Sequence, residues 1–185
     1  MDGAPKPKTK KYKGNLYSET RYAVIKEMEK ELPLLKGDVL EIGAGNWDMP
    51  KTLLTGVSKH WRTDQKHYGG HKNKVDQYID VHNMPSEWDN KWDAVIALEC
   101  FECFYDPKKA ITEIHRVLKK GGKAIISSPF NYVWFGSKEK NVKDYWRITQ
   151  DGWELLMKNF NIIDIRGLGG SGPKDRFGYF IVGVK

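Results

Sequence analysis

Residues 38–45 read Asp-Val-Leu-Glu-Ile-Gly-Ala-Gly, a short apolar run set directly against two glycines. A run of this length has the dimensions of a buried strand, and glycine is what the backbone needs where it turns sharply at the strand's end. A strand over Asp38–Ile42 that is buried on both faces belongs to a sheet covered by helices on each side.

The rest of the chain supplies those layers. Ser18 is placed to cap a helix carrying Tyr22, Ile25, Met28 and Leu32 at helical spacing, ended near Pro33. A second helix is expected near Met49–Thr55, then strands over 60–64, 75–81 and 91–99. Residues 107–120 form an amphipathic pattern through Ala110, Ile111, Ile114, Val117 and Leu118, punctuated by Gly121 and Gly122 before a strand over 121–129. A capped helix over 149–160 precedes two strands, 161–168 and 177–185, with no helix between them. Helices between successive strands impose parallel pairing, whereas the last pair closes antiparallel. The expectation is α/β: a doubly wound, seven-stranded, mostly parallel sheet with an antiparallel last strand in a three-layer α/β/α arrangement.

With 185 residues, 39% of them hydrophobic, the chain is expected to form a single domain over 18–185, preceded by a basic, disordered tail over 1–17 that carries Lys6, Lys8, Lys10, Lys11 and Lys13. The formal charge of +7 gives that tail two readings, a solvated end or a contact for the phosphates of nucleic acid. No run of about eighteen apolar residues suits a membrane span, and the opening residues lack the apolar segment of a secretory signal, so a cytoplasmic protein without a membrane partner is expected. Cys100 and Cys103 read as packed, reduced thiols. No metal site is expected, because a second ligand pair for these thiols is missing and Gly69-Gly70 separates His67 from His71.

In doubly wound sheets ligands bind beyond the carboxyl ends of the strands. There the glycines of Gly43-Ala44-Gly45 admit a ligand close to the backbone, with the free N–H groups of the following helix nearby. Asp64 follows Gly43 by twenty-one residues, the spacing at which an acid reaches the ribose hydroxyls of a nucleoside. A nicotinamide dinucleotide site would need its third glycine at position 48, which is Asp48.

From Val39 to Pro129 the chain resembles the type 11 branch of the class I S-adenosylmethionine-dependent methyltransferases, which share the Rossmann-like fold. VLEIGAG is similar to the family's first motif, Asp64 to its ribose-binding acid and IDVHNMP to its adenine-side motif. The run WDAVIALECFECFYDPKKAITEIHRVLKKGGKAIISSP is similar to its long central signature, and KDYWRITQDGWELLMKNF to the segment that follows. The resemblance implies S-adenosylmethionine as cofactor and S-adenosylhomocysteine as product. It also implies a cofactor site of Glu41, Gly43, Ala44, Gly45, Asp64, Gln65, Asp80, Val81, Leu98 and Glu99, with Asp64 on the ribose, Asp80 and Val81 at the adenine, and Leu98 and Glu99 at the methionine end. Two positions depart from the family: Trp47 stands where many relatives carry a third glycine, and Phe101-Glu102-Cys103 replaces a Leu-Glu-His run.

Methyl transfer asks the protein to align a nucleophile, exclude water and, where the nucleophile carries a proton, offer a base. Glu99, Glu102, Tyr145 and Arg147 are the candidates, with a small-molecule oxygen or nitrogen acceptor the expected substrate. Arg147 has a structural alternative as an ion pair with Asp144 or Glu154, and His82 reads as pocket wall. Two other functions fit the same residues: a non-catalytic module that binds the cofactor, with Trp47 narrowing the methionine end, and a nucleic-acid-directed methyltransferase that uses the lysine tail.

Overall fold

A computed structural model describes residues 9–12, 15–66, 75–137, 142–170, 172 and 175–185. A seven-stranded sheet is built from β3 (Gly37–Ile42), β4 (Val57–Asp64), β5 (Gln77–Tyr78), β6 (Trp92–Leu98), β7 (Leu118–Pro129), β8 (Asn161–Leu168) and β9 (Gly178–Val184). The strand order is β5-β4-β3-β6-β7-β9-β8. Pairing from β5 to β7 is parallel, and β9 lies antiparallel between β7 and β8. The chain winds outward from β3 in one direction through β4 and β5, then in the other from β6. The sheet therefore has its switch point between β3 and β6, where a crevice opens beyond the strand ends.

Alternation along β6 shows why helices cover both faces. Ala94, Ile96 and Leu98 pack with Val24, Met28 and Leu32 of α1 (Glu19–Glu31) and with Leu53 at the end of α2 (Met49–Leu53). Val95 and Ala97 join the opposite core with Ala110, Ile111, Ile114 and Val117 of α3 (Pro107–Val117), and with Trp153 of α4 (Gln150–Leu156) and Met157 just beyond it. Side chains close two helix starts as the sequence leads one to expect, Ser18 Oγ accepting from Arg21 N at 3.2 Å and Thr149 Oγ1 from Gly152 N at 3.1 Å, and Asp106 Oδ1 caps a third by accepting from Lys109 N at 2.9 Å.

Three local expectations differ from the structure. The strand expected over 75–81 shortens to Gln77–Tyr78, because the side chain of Asp76 turns back to accept from Arg62 N, and that of Asp80 accepts from His82 N. Gly121 and Gly122 do not end α3; that helix stops at Val117, and the glycines sit inside β7, where Gly121 adopts φ +79° and its N–H reaches the carbonyl of Lys185. In the segment expected to be a disordered tail, β1 (Thr9–Tyr12) pairs antiparallel with β2 (Asn15–Ser18), with Lys10 lying over the ring of Tyr22 on α1. The first eight residues, and the pair His67 and His71, lie outside the described residues. Among the described residues no helix is long and apolar enough to cross a membrane.

Candidate functional site

A cavity of about 700 Å³ opens at the carboxyl ends of β3, β4, β5 and β6, inside the roughly 300–1,000 Å³ range of small-molecule sites. All ten residues expected at a cofactor site, Glu41, Gly43, Ala44, Gly45, Asp64, Gln65, Asp80, Val81, Leu98 and Glu99, border it. Their order follows the sheet. Asp80 and Val81 come after β5, Asp64 ends β4, the glycine turn ends β3 and Glu99 follows β6, so three strand intervals, roughly 14 Å, separate the first group from the last.

The glycine turn requires its glycines. Gly43 and Gly45 adopt φ of +68° and +51°, and a Cβ on Gly43 would lie 2.6 Å from the Cβ of Cys100. Asp64 ties the turn to β4, since its Oδ2 accepts from Gly45 N and its Oδ1 from Gln65 N, each at 2.7 Å. Glu41 borders the cavity with its carboxylate already engaged: Oε2 lies 3.0 Å from Arg62 Nε and 2.9 Å from His60 Nε2. Arg62 also donates to Asp48 Oδ1 at 2.9 Å and to the Trp47 carbonyl at 3.3 Å, so a buried guanidinium holds the backbone of the turn.

On the β5 side, His82 is a spacer between two elements. Its Nε2 accepts from Asp106 N at 3.3 Å while Nδ1 lies 2.7 Å from Asp80 Oδ1, an arrangement satisfied by the tautomer protonated on Nδ1. Tyr105 stacks on this ring with centroids 3.7 Å apart. His82 thus shapes the wall and orients the Asp80 carboxylate.

On the β6 side, Glu99 takes a left-handed conformation, φ +54°, unusual for a residue with a Cβ. Its N–H donates to the carbonyl and to Oγ of Ser127, both at 3.0 Å, and the Ser127 hydroxyl donates to Glu99 Oε1 at 2.9 Å. Burial raises the carboxyl's pKa, opposed by the Ser127 hydrogen bond and the field of Arg21. Next to it Glu102 is buried, does not border the cavity and has no partner for Oε2 among the described residues. Burial, with Glu99 adding repulsion, pushes Glu102 up to about 8.

Of the remaining candidates for catalysis, Tyr145 borders the cavity and Arg147 does not. Arg147 grips the fully buried Asp144 carboxylate with both terminal nitrogens, at 2.5 and 2.8 Å, and donates to the carbonyls of Tyr132, Val133 and Trp146. The ion pair with Asp144 anticipated from the sequence is therefore present, and it ties down the loop after β7. That loop is docked on the turn after β6 by N–H groups of Tyr145 and Trp146 on the Glu102 carbonyl and by Trp146 Nε1 on the Phe104 carbonyl at 2.8 Å. Cys100 and Cys103 also border the cavity; burial, followed by the Glu102 carboxylate, pushes both thiols up, so they are protonated at neutral pH. Among the described residues no group of three or more His, Cys, Asp or Glu side chains is arranged to hold a metal ion.

The cavity also takes residues that no local motif announces: Arg21 from α1, and Tyr105 and Lys143, which face it from loops. Arg21 directly precedes Tyr22, the first of the residues that carry the periodic signal, and only the packing of α1 across the sheet brings it to the glycine turn.

Residues 40–126 match the family model described as a methyltransferase domain, type 11. Compared by sequence with curated proteins, the chain has no significant match. Among solved structures it is similar to a chain from the complex between the Haloferax volcanii Trm112 methyltransferase activator and a candidate methyltransferase, with 15% identity, 90% of each chain covered and a TM-score of 0.67. It is also similar to an S-adenosylmethionine dependent methyltransferase from Mesorhizobium loti, with 12% identity, 88% of this chain and 98% of that one covered and a TM-score of 0.64. At these identities the likeness is one of fold, and that fold is the Rossmann-like α/β/α arrangement expected from the strand and helix pattern.

Proposed function

We propose that the chain, whose residues 40–126 match the methyltransferase domain model, binds S-adenosylmethionine in the cavity at its strand ends and methylates an oxygen or nitrogen of a small acceptor. The observation that carries the reading is the linear order of groups along one cavity. The Asp80–Val81 wall, the Asp64 carboxylate, the glycine turn and Glu99 succeed one another as base, ribose, sulfonium and amino acid do in the cofactor.

The residues fit the group on structural grounds. A side chain on Gly45 would project toward open space, its Cβ meeting nothing nearer than the Gly43 carbonyl at 3.9 Å, so the turn leaves room for a ligand against the backbone. Buried Val81 and the side of Ile79 offer an apolar wall for a base. Bound S-adenosylmethionine supplies a methyl carbon activated by its sulfonium sulfur. Asp64 would accept from the ribose hydroxyls, and the backbone of the glycine turn would hold the chain of the cofactor. An oxygen or nitrogen acceptor would enter past Lys143 and Tyr145, while Glu99 stands at the amino-acid end of the cofactor. Glu102, closed off behind this wall, does not border the cavity and so does not meet the acceptor.

Calorimetric titration of the full chain with S-adenosylmethionine and S-adenosylhomocysteine tests the reading, with Asp64→Ala as control. Saturable binding weakened by the substitution supports it, and absence of binding by well-folded wild-type protein removes it. Binding without turnover across an acceptor screen favours either a non-catalytic module or the need for a second protein; the Haloferax volcanii relative is in complex with a methyltransferase activator. Nucleic acid as the acceptor requires an affinity that falls steeply with salt and is lost on removing residues 1–14.

A further inference from the structure

We infer that the loop after β7 presents Tyr132, Val133 and Trp134 as an anchor for an anionic lipid surface, with Lys143 meeting the headgroups. The inference goes beyond the reading of the cavity and does not depend on what the cavity binds.

Apolar side chains are exposed here on a fixed backbone. Val133 is 63% and Trp134 70% exposed, and Tyr132, Tyr145 and Trp146 are also open to solvent. Contiguous apolar surface of this kind marks contact sites for proteins or membranes. The backbone beneath it is held. Arg147 donates to the carbonyls of Tyr132 and Val133, each at 3.3 Å, while its partner, the fully buried Asp144 carboxylate, accepts from Phe135 N at 3.0 Å. Trp134 is fixed as well, because its ring lies so close over Gly136 that a Cβ there would stand 2.5 Å from Trp134 Cζ2. Ser137 and Val142 close the loop with reciprocal backbone hydrogen bonds of 2.9 and 2.8 Å. An ion pair thus keeps three consecutive side chains, Tyr132 to Trp134, out of the core, and preorganisation of this kind lowers the cost of binding.

The charge around the patch selects its occupant. Between Phe130 and Arg147 the sequence carries four basic and two acidic residues, and one of the acids, Asp144, is neutralised by Arg147. Lys143 is exposed, and its side chain makes no ion pair or hydrogen bond among the described residues. Tryptophan and tyrosine rings settle at headgroup depth, and a lysine beside them reaches the phosphates while its methylene stem stays among apolar groups. Protein interfaces, in contrast, are enriched in arginine and depleted in lysine. A second copy in a two-fold dimer would set this positive patch against itself. An anionic bilayer meets both the rings and the charge, and the formal charge of +7 draws the whole chain toward it. Docking on a surface needs no membrane-spanning helix.

The patch also runs into the cavity mouth. Lys143, Tyr145 and Phe104 border the cavity, and Trp146 Nε1 donates to the Phe104 carbonyl at 2.8 Å. With the function proposed above, an acceptor dissolved in lipid would enter without crossing water.

Co-sedimentation of the full chain with vesicles tests the anchor, comparing equal parts of phosphatidylglycerol and phosphatidylcholine with phosphatidylcholine alone. The wild type should partition onto the anionic vesicles about tenfold more strongly, and that preference should shrink as salt rises. Trp134→Ala should weaken binding about tenfold or more and Lys143→Gln about fivefold. Trp134→Phe should stay within about threefold of wild type, since an aromatic ring is still buried, while most of the quenching by brominated acyl chains disappears. An unchanged Tm in Trp134→Ala shows that the fold is intact, and separate titration with S-adenosylhomocysteine reports on the cofactor site, so either reading can fail alone. No binding of wild type to anionic vesicles, equal binding by Trp134→Ala, or equal binding to both kinds of vesicle overturns the anchor. A concentration-dependent dimer in sedimentation velocity that Trp134→Ala dissolves, without vesicle binding, assigns the patch to a second copy and overturns it too.

Discussion

Substituting alanine at the two glycines of the turn separates backbone strain from steric crowding. At Gly43 and Gly45 the backbone is left-handed, which costs a residue with a Cβ roughly 1–2 kcal/mol. At Gly45 that is the whole cost, since the new methyl meets nothing nearer than 3.9 Å. At Gly43 the methyl would also lie 2.6 Å from Cys100 Cβ and 2.8 Å from its Sγ, contacts that force the packed end of β6 to move. Such overpacking costs about 1–3 kcal/mol more. Gly43→Ala should therefore destabilise the protein by about 2–5 kcal/mol and Gly45→Ala by about 1–2 kcal/mol. For a chain of this size each kcal/mol corresponds to a drop in Tm of roughly 2–4 °C. Urea denaturation followed by circular dichroism measures both. A double-mutant cycle of Gly43→Ala with Cys100→Gly isolates the crowding, and its coupling energy should be about 1–3 kcal/mol, with Cys100→Gly relieving the alanine. Equal destabilisation at the two glycines, or coupling near zero, would refute the contact between the turn and Cys100.

Further outcomes follow from the same geometry. The Glu102 carboxyl is raised from the ordinary 4.5 to about 8, with Glu99, Asp144, Cys103 and Arg147 as its charged and titratable neighbours. Between those two values the folded protein holds more proton than the unfolded one, so this group's stabilising effect is present in acid and is lost as pH rises toward 8. Glu102→Gln should flatten that decline and raise Tm most at pH 8 and above; an unchanged Tm–pH profile counts against the buried carboxyl. Arg147→Ala leaves the Asp144 carboxylate without its countercharge and with the Phe135 N–H as its remaining partner, which should cost on the order of 3–5 kcal/mol and open the backbone around Asp144 to limited proteolysis, with Asp144→Asn in the same chain recovering part of the loss. If Arg147→Lys keeps the fold while methyl transfer disappears, Arg147 has a role beyond the loop. Asp64→Asn keeps the size of the side chain but removes its charge, and should weaken S-adenosylhomocysteine binding by about tenfold; affinity equal to wild type would place the ribose elsewhere.

The half of the site that lies on the sheet was legible because short-range rules govern it. An apolar run ending in glycine fixes where β3 stops, the apolar periodicity of α3 returns the chain for another parallel strand, and Asp64 falls at the next strand's end by arithmetic. Boundaries failed where side chains competed with the ladder. Asp76 and Asp80 cut β5 to two residues by accepting from the Arg62 and His82 N–H groups, and Gly121, a residue type that commonly stops helices, serves a distortion within β7. The alternation of Thr9 to Ser18 was hidden under its lysines, which drew attention to charge and away from a hairpin whose strands run beside α1. Arg21 was out of reach for a different reason: it meets Trp47 through tertiary packing, and no spacing rule links a helix before the sheet to a turn within it.

The same contrast indicates where specificity for the acceptor is built. Every residue that the sequence pattern assigns to the cofactor lies at or next to a strand end, and its position tolerates little change because a one-residue shift would reverse the strand's faces. Tyr105, Lys143 and Tyr145, in contrast, hang from the turn after β6 and the loop after β7, two segments joined by hydrogen bonds to the Glu102 and Phe104 carbonyls. The buried Asp144–Arg147 pair holds that junction together from within. Substitutions at Lys143 and Tyr145 can therefore change which acceptor is admitted without disturbing the sheet or the cofactor, whereas substitutions at Asp144 or Arg147 move the whole junction at once. An acceptor screen on Lys143→Ala and Tyr145→Ala should show altered acceptor KM at constant S-adenosylhomocysteine affinity, whereas Tyr105→Ala, which removes the ring stacked on His82, should also weaken the cofactor; loss of cofactor affinity in the first two variants would mean that the two halves of the cavity are not separable.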